Sequence, residues 1–199
     1  MHLMPKDTGW IEVVTGCMFS GKTEELIRRL RLAQYAKQKV VVFKPKLDAR
    51  YSKTHVVSHR DSRLEAHVIQ TATEIPRLAE DAQVIGVDEA QFFDNDLVGI
   101  CEALANGGKR VVVAGLDLDY RGRPFEPIPQ LLAVAEYITK NLAICMVCGN
   151  PADRSQRLVN RESRILIGSG DMYEARCRRC YVPEQPGDIQ EALPLSSVG

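Results

Sequence analysis

The residues best suited to chemistry form a glycine-rich segment near the amino terminus, with the letters GCMFSGKT. They match the pattern G-x-x-x-x-G-K-[S/T], in which backbone N–H groups curl around a polyphosphate and the lysine reaches its outer phosphates. The threonine hydroxyl of this pattern can bind Mg²⁺. A chance match of four positions is the alternative, but the segment lies between an apolar run and an amphipathic run. We therefore predict a phosphate-donor site built from Gly16, Cys17, Met18, Phe19, Ser20, Gly21, Lys22 and Thr23.

An acidic pair, Asp88 and Glu89, follows the apolar residues 84–87. A phosphate-binding loop needs a carboxylate at the end of a nearby strand to organise its metal ion, and Asp88 stands at such a position. We predict that Asp88 binds Mg²⁺ together with Thr23. Because successive side chains of an extended segment point to opposite faces, we expect Glu89 to face an acceptor hydroxyl or water and to accept its proton. The alternative is that Glu89 is a solvated acid at a strand end.

Four of the six cysteines form two C-x-x-C pairs. Four thiolates from two tight turns give the tetrahedral sulfur set that Zn²⁺ prefers, with no open position for water. We predict a structural zinc site at Cys145, Cys148, Cys177 and Cys180, in a reducing, cytoplasmic compartment. Redox-active C-x-x-C motifs and four unrelated buried thiols are the alternatives.

Strands and helices must alternate to position these residues. Apolar, β-rich runs predict strands at residues 10–14, 40–43, 84–87 and 110–114. Helical spacing of apolar residues predicts helices at 23–33, 74–81 and 96–106. This alternation predicts an α/β fold with a mainly parallel sheet and crossover connections. The polar segment between Pro45 and Arg63 has no periodicity, and we expect a loop there.

The composition limits the classes of function. Lysine plus arginine and aspartate plus glutamate each number 26, so the formal net charge is zero, and no global charge favours nucleic acid. No window approaches the roughly 18 apolar residues of a membrane span. We predict an N-terminal extension at 1–9, a phosphate-binding α/β domain at 10–144, a zinc module at 145–182 and a disordered tail at 183–199.

Five motifs together resemble the type II thymidine kinase family. They are MFSGKT at 18–23, DEAQFF at 88–93, LDLDYRGRPF at 116–125, the cysteine pairs, and GSGDMYEARC at 168–177. They occur in the family's order and extend over residues 10–181. The resemblance implies a RecA-like P-loop domain followed by a zinc-ribbon, or lasso, domain. It also implies transfer of the γ-phosphate of ATP to the 5′-hydroxyl of thymidine, with Mg²⁺.

The resemblance also assigns roles to residues. Glu89 falls on the family's proton acceptor, Lys22 belongs to the phosphate site, and Arg50 matches a position near the phosphates, where it would stabilise transferring charge. Ala90 and Gln91 are placed in the nucleotide site with the acidic pair. The thymine pocket would be formed by Met18, Phe92, Leu116, Tyr120 and Phe125, closed by Tyr173, with main-chain groups of Leu166, Ile167, Gly168, Ser169 and Gly170 at the base edge. Without the resemblance, Phe92 and Leu116 are equally well explained as core packing.

Further expectations concern partners and individual residues. The resemblance implies a homotetramer inhibited by thymidine triphosphate, and we expect thymidine and deoxyuridine as substrates but neither nucleic acid nor a membrane as a partner. Cys17 stands where many relatives have proline, and we expect its oxidation to affect the site. Met18 is predicted to turn towards the thymine pocket and Phe19 to pack beneath the loop. Asp119 and Arg121 are interpreted as a surface pair.

Two other classes of function stay open from the residues alone. A nucleic-acid-stimulated ATPase would bind nucleic acid through the cysteine module. In that module Arg176, Arg178 and Arg179 lie beside the predicted zinc ligands. The balanced charge and the DEAQFF motif disfavour that class. A nucleotide-binding regulatory module without chemistry would not need Glu89 beside Asp88.

Overall fold

The computed structural model describes residues 8–46, 55–57, 63–159 and 172–183. Its strands in chain order are β1 Trp10–Thr15, β2 Val40–Pro45, β3 His55–Val57, β4 Arg63–Glu65, β5 His67–Ile69, β6 Val84–Val87, β7 Arg110–Gly115, β8 Tyr137–Lys140, β9 Ala143–Ile144, β10 Pro151–Ala152, β11 Arg154–Arg157 and β12 Tyr173–Arg176. Its helices are α1 Lys22–Tyr35, α2 Ile75–Leu78, α3 Asp96–Asn106 and α4 Ile128–Val134, with 3₁₀ turns at Ala72–Glu74 and Ala90–Phe92.

Six of these strands form one parallel sheet in the order β5-β2-β6-β7-β1-β8. The central strand β7 is buried on both faces because its side chains alternate between two apolar cores. Val111 and Val113 contact the core that α2, α3 and α4 cover, whereas Val112 and Ala114 contact the core that α1 covers. The α/β prediction is therefore confirmed.

The parallel arrangement brings several connections to one edge of the sheet. The glycine-rich loop leaves β1, Asp88 follows β6, and Leu116 follows β7. Since β1, β7 and β6 are neighbours, their carboxyl ends meet, which is where open α/β sheets bind ligands.

The cysteine-rich part forms two small antiparallel pairs, β9 with β10 and β11 with β12. A separate apolar cluster lies between them and includes Ala143, Ala152 and Ala175. Strand β9 begins at Ala143, shortly after the edge strand β8 ends at Lys140, so the chain enters the module from that edge of the main sheet. Within the described part of the chain, no helix is long and apolar enough to cross a membrane.

The sequence predicted the four central strands, α1 and α3 at the positions observed. The predicted helix at 74–81 is wrong in its extent, because α2 covers only Ile75–Leu78 and the next positions include Glu80 and Asp81, which the negative end of a helix disfavours. The predicted loop between Pro45 and Arg63 is also wrong in part, since β3 lies within it and pairs with β4. Residues 1–7, 47–54, 58–62, 160–171 and 184–199 lie outside the described residues, and the predicted domain boundaries stay predictions.

Candidate active site at the carboxyl edge of the sheet

The phosphate-binding loop depends on two glycines in the left-handed region. Gly16 has φ 138° and Gly21 has φ 77°. A Cβ atom on Gly16 would lie 2.2 Å from the carbonyl oxygen of Asn141, so a side chain at this position would collide with backbone. Gly21 caps α1 at its amino end, which directs the positive end of this 14-residue helix into the loop.

Lys22 is the first residue of α1, and its Nζ donates a hydrogen bond to the Cys17 carbonyl oxygen at 2.8 Å. The Lys22 side chain therefore reaches back across the phosphate-binding loop to the residue near its start. Burial lowers the pKa of Lys22, while the nearby carboxylates of Glu89 and Asp88 act in the opposite direction. This arrangement places a cation where outer phosphates would lie.

Thr23 and Asp88 meet from different elements, as the sequence predicts. The Thr23 hydroxyl lies 3.3 Å from each carboxylate oxygen of the buried Asp88. A hydroxyl and a carboxylate are the hard oxygen donors that Mg²⁺ takes beside phosphates. Ser20 Oγ, in the same loop, is buried without a hydrogen-bond partner among the described residues. These groups fit a bound metal–nucleotide complex.

The backbone turns at Glu89, directly after Asp88, and the sequence did not predict this turn. Strand β6 ends at Val87, and Glu89 has φ 50° and ψ 42°, in the left-handed region rather than in an extended segment. The expectation of simple strand alternation is therefore wrong. The side chain of Gln91, two residues later, donates its Nε2 to Glu89 Oε2 at 2.5 Å.

The predicted aromatic pocket residues form two contacting groups. Phe92 and Phe125 pack edge to face, with ring centroids 6.3 Å apart. Tyr120 and Tyr173 are linked by the buried Arg157, whose guanidinium carbon lies 3.4 Å from the Tyr120 ring centroid and whose Nη2 donates to the Tyr173 hydroxyl at 3.0 Å. Leu116, Tyr120 and Phe125 belong to one loop, which connects the two groups.

That loop is shaped by a buried carboxylate. Asp119 is 3% exposed, and its Oδ1 accepts hydrogen bonds from the backbone N–H groups of Arg121 and Arg123 at 2.9 and 3.0 Å. The interpretation of Asp119 and Arg121 as a surface pair is wrong, because the carboxylate closes a tight turn. Tyr181 adds a further tie, since its hydroxyl donates to the Tyr120 carbonyl at 2.6 Å.

The two bulky residues within the phosphate loop differ in environment. Phe19 has φ 65° and is 39% exposed, so the expectation that it packs beneath the loop is wrong. Met18 is half-buried, and its direction towards thymine stays a prediction.

Cys17 is 2% exposed, and burial raises the pKa of its thiol, which argues against the expected sensitivity to oxidation.

The four paired cysteines converge on one point. Their sulfur atoms all lie within 4.8 Å of one another, with 3.6 Å between Cys148 and Cys177 and 3.5 Å between Cys148 and Cys180. Zn–S bonds of about 2.3 Å in a tetrahedron place sulfurs roughly 3.8 Å apart. The cluster fits structural zinc, and it excludes four unrelated thiols. All six cysteines of the chain are free of disulfides.

Residues 9–181 match the family model described as thymidine kinase. The chain belongs to the thymidine kinase family. It is 61% identical over 178 residues to the thymidine kinase of Rhodothermus sp. (strain ITI 518), an alignment that covers 89% of this chain and 84% of that protein.

The structure brings most of the predicted site residues to the carboxyl edge of the sheet. Their individual roles in binding and catalysis stay predictions. Arg50 and the main-chain groups of 166–170 lie outside the described residues. Sequence reasoning missed Ser155, which contacts Met18, and Arg157, which contacts Tyr173. Ser155 and Arg157 are buried and alternate with half-buried neighbours on β11, a weak two-residue period that is visible only once the strand boundary is known.

Proposed function

We propose that the chain transfers the γ-phosphate of ATP to the 5′-hydroxyl of thymidine and that Glu89 is the general base. Membership of the thymidine kinase family gives the reaction, phosphorylation of thymidine with ATP. The observation that supports the base assignment is the turn at Glu89, which separates its carboxylate from the metal-side Asp88 at the same edge of the sheet. A hydroxyl that attacks phosphorus must lose its proton, and a positioned carboxylate can accept it.

Binding of ATP is assigned to the loop and helix described above. The loop amides, the amino end of α1 and Lys22 would hold the polyphosphate, and Arg50 would lie near the transferring group. Thr23 and Asp88 would hold Mg²⁺, which supplies charge neutralisation on the phosphates when bound. The buried Ser20 hydroxyl supports a ligand at this place, because buried polar atoms are normally satisfied.

Thymidine is assigned to the aromatic groups beside Glu89. Phe92 and Phe125 offer apolar ring surfaces. Tyr173 belongs to the cysteine module, and its hydroxyl accepts a hydrogen bond from Arg157. Such surfaces suit a flat base and exclude water that would otherwise hydrolyse ATP. The full predicted set is Met18, Phe92, Leu116, Tyr120, Phe125 and Tyr173, with the main-chain groups of Leu166, Ile167, Gly168, Ser169 and Gly170.

Zinc at the four cysteines would have a structural role, since four sulfur ligands leave no position for a substrate. The strands held by this site carry Tyr173 and Arg157 towards the aromatic pocket. A cytoplasmic location is proposed on the same basis, because reduced cysteine pairs persist in a reducing compartment.

Assembly and regulation are further proposals. A homotetramer is supported by exposed apolar side chains near the edge strand β8, such as Ile138 at 52% exposure. Thymidine triphosphate as a feedback inhibitor and the acceptance of deoxyuridine follow from the family resemblance alone. The zero net charge supports the absence of a nucleic-acid partner.

ADP formation by the purified chain tests the proposed reaction. We expect ATP consumption with thymidine, and only background consumption with single-stranded DNA or without an acceptor. Consumption stimulated by DNA would support the ATPase alternative, and nucleotide binding without any turnover would support a regulatory module.

A further inference from the structure

Gln91 is a buried side chain that joins two parts of the candidate site. It lies on the turn Ala90–Phe92 and is 3% exposed. Its Nε2 donates to Glu89 Oε2 at 2.5 Å, and its Oε1 accepts from the backbone N–H of Leu116 at 3.0 Å. The orientation of the amide is fixed chemically, because a carboxylate needs a donor and a backbone N–H needs an acceptor.

The surroundings of Gln91 are built to admit this amide. A Cβ atom on Gly115 would lie 3.0 Å from Gln91 Oε1 and 2.5 Å from Ile128 Cδ1. Glycine at the end of β7 therefore leaves the room in which the amide reaches Leu116. Both polar ends of the side chain are thus committed to protein groups.

The residue that Gln91 contacts has an unfavourable backbone conformation. A glutamate at φ 50° is disfavoured unless its surroundings hold it. Gln91 holds its carboxylate from two residues away, within the same turn. This hydrogen bond restricts the rotamers of the Glu89 side chain, in addition to the attraction of the nearby Lys22 charge.

We propose that Gln91 is a positioning residue for the reaction, and not a nucleotide contact as its place in the DEAQ motif suggested. It orients the Glu89 carboxylate and ties it to Leu116, the first residue of the loop that carries Tyr120 and Phe125. One buried amide therefore contributes both to the placement of the general base and to the shape of the thymidine pocket. This inference rests on the proposed role of Glu89.

Gln91→Met removes both hydrogen bonds at similar side-chain volume. We expect kcat to fall on the order of 10- to 100-fold, because small displacements of a reacting group cost this much. The KM for ATP should stay within about threefold of wild type, since no nucleotide contact is lost. A raised KM for ATP with unchanged kcat would mean that Gln91 contacts the nucleotide, and it would overturn the proposal.

Gln91→Glu separates positioning of the base from support of the loop. Its carboxylate keeps an acceptor for the Leu116 N–H but offers no donor and repels Glu89 at mildly alkaline pH. We expect kcat to fall as in Gln91→Met, while the KM for thymidine stays within about threefold of wild type. Normal kcat in this variant would show that only the bond to Leu116 matters. Gln83→Met is the matched control, because Gln83 accepts a hydrogen bond from the Lys39 N–H far from the carboxyl edge.

A double-mutant cycle with Glu89→Gln tests the coupling directly. If Gln91 acts through Glu89, adding Gln91→Met to Glu89→Gln should lower kcat by less than about threefold further. Multiplicative effects of the two substitutions would overturn the positioning role while leaving Glu89 as the base. Near-normal kcat in Glu89→Gln alone would overturn the base assignment, and this inference with it.

Discussion

The backbone N–H of Met18 donates a hydrogen bond to Ser155 Oγ at 3.0 Å. A strand of the cysteine module thus contacts the phosphate-binding loop directly. The thiol of Cys17 adds a second contact at 3.4 Å to the Ala152 carbonyl, and it lies in the same apolar cluster as Cys145. The module is therefore part of the wall behind the phosphate loop, so its integrity should affect ATP binding as well as thymidine binding.

Ser155→Ala should weaken ATP binding about three- to tenfold, since one hydrogen bond to a loop amide contributes roughly 1 kcal/mol. Isothermal calorimetry with an ATP analogue measures this change. Ser155→Thr is the control, because it keeps the hydroxyl and should retain affinity close to wild type. Unchanged affinity in Ser155→Ala, with thermal stability lowered, would limit Ser155 to a packing role.

Metal content tests the cysteine cluster. Purified, reduced protein should contain about one zinc per chain, and Cys148→Ser should lose it, because one of four ligands is removed. Cys101→Ala is the matched control, since Cys101 is buried in α3, away from the cluster, and burial raises the pKa of its thiol to about 12.

The loss of zinc should also reach the phosphate loop. Because Ser155 and Ala152 lie between the two cysteine pairs, Cys148→Ser is expected to weaken ATP binding in the same direction as Ser155→Ala. Full ATP affinity in zinc-free protein would contradict this connection between the module and the loop.

Glu89→Gln should lower kcat on the order of a hundredfold or more, because the amide cannot accept the proton of the acceptor hydroxyl. Affinity for ATP should persist, since the phosphate loop and the contact between Thr23 and Asp88 are untouched. Steady-state kinetics and nucleotide titration give the two values. Glu80→Gln, an exposed acid, is the control and should keep full turnover. Turnover of Glu89→Gln close to that of the control would refute the base assignment.

The central strands could be predicted because β1, β2, β6 and β7 are covered on both faces by the two cores. Their sequences are therefore rich in apolar, β-branched residues, although β1 is interrupted by Glu12. The edge strand β8 alternates half-buried and exposed residues over four positions, and β5 has only three residues. Segments this short carry too little periodicity to identify a strand. These short strands form because they pair with a neighbouring strand, and a local sequence pattern does not show that pairing.

The candidate site was predictable to the extent that its residues follow strand ends within motifs. Thr23 and Asp88 are 65 residues apart, but parallel order brings their connections to the same edge. The left-handed turn at Glu89 was not predictable, because glutamate rarely adopts it and the residue type gives no signal. The contact of Ser155 with Met18 joins residues 137 positions apart through the packing of the module, and no spacing rule relates them.

A second polar cluster lies at the opposite, amino end of the sheet. The carboxylate of the buried Glu12 accepts hydrogen bonds from Trp10, Arg29 and Arg110. Burial alone would raise the pKa of Glu12, but the hydrogen bonds from Arg110 and Trp10 and the charges of Arg110 and Arg29 outweigh it and lower the pKa. On the surface of α1, hydrogen bonds from Arg28 and Arg29 lower the pKa of Glu25 to about 2, against some desolvation.

These lowered pKa values define how stability should depend on pH. A carboxylate whose folded pKa is depressed stabilises the fold fully above its ordinary value of 4.5, and this contribution is lost as the pH falls through the folded value. The free energy of unfolding should therefore decrease as the pH falls from about 4.5 towards about 2.

Glu12→Gln should lower the free energy of unfolding near neutral pH by about 3 kcal/mol, because it removes a buried carboxylate that pairs with the largely buried guanidinium groups of Arg29 and Arg110. The deficit relative to wild type should shrink as the pH falls below 4.5 through the lowered pKa of Glu12, because wild-type Glu12 then loses its charge as well. Urea unfolding at several pH values measures both effects. Glu25→Gln is the comparison: Glu25 pairs with the exposed Arg28 and shares Arg29 with Glu12, so Arg29 keeps the Glu12 carboxylate and the loss should stay near or below about 1 kcal/mol. Equal losses in the two variants, or a Glu12→Gln deficit that does not change with pH, would show that the charge of Glu12 does not stabilise this end of the sheet.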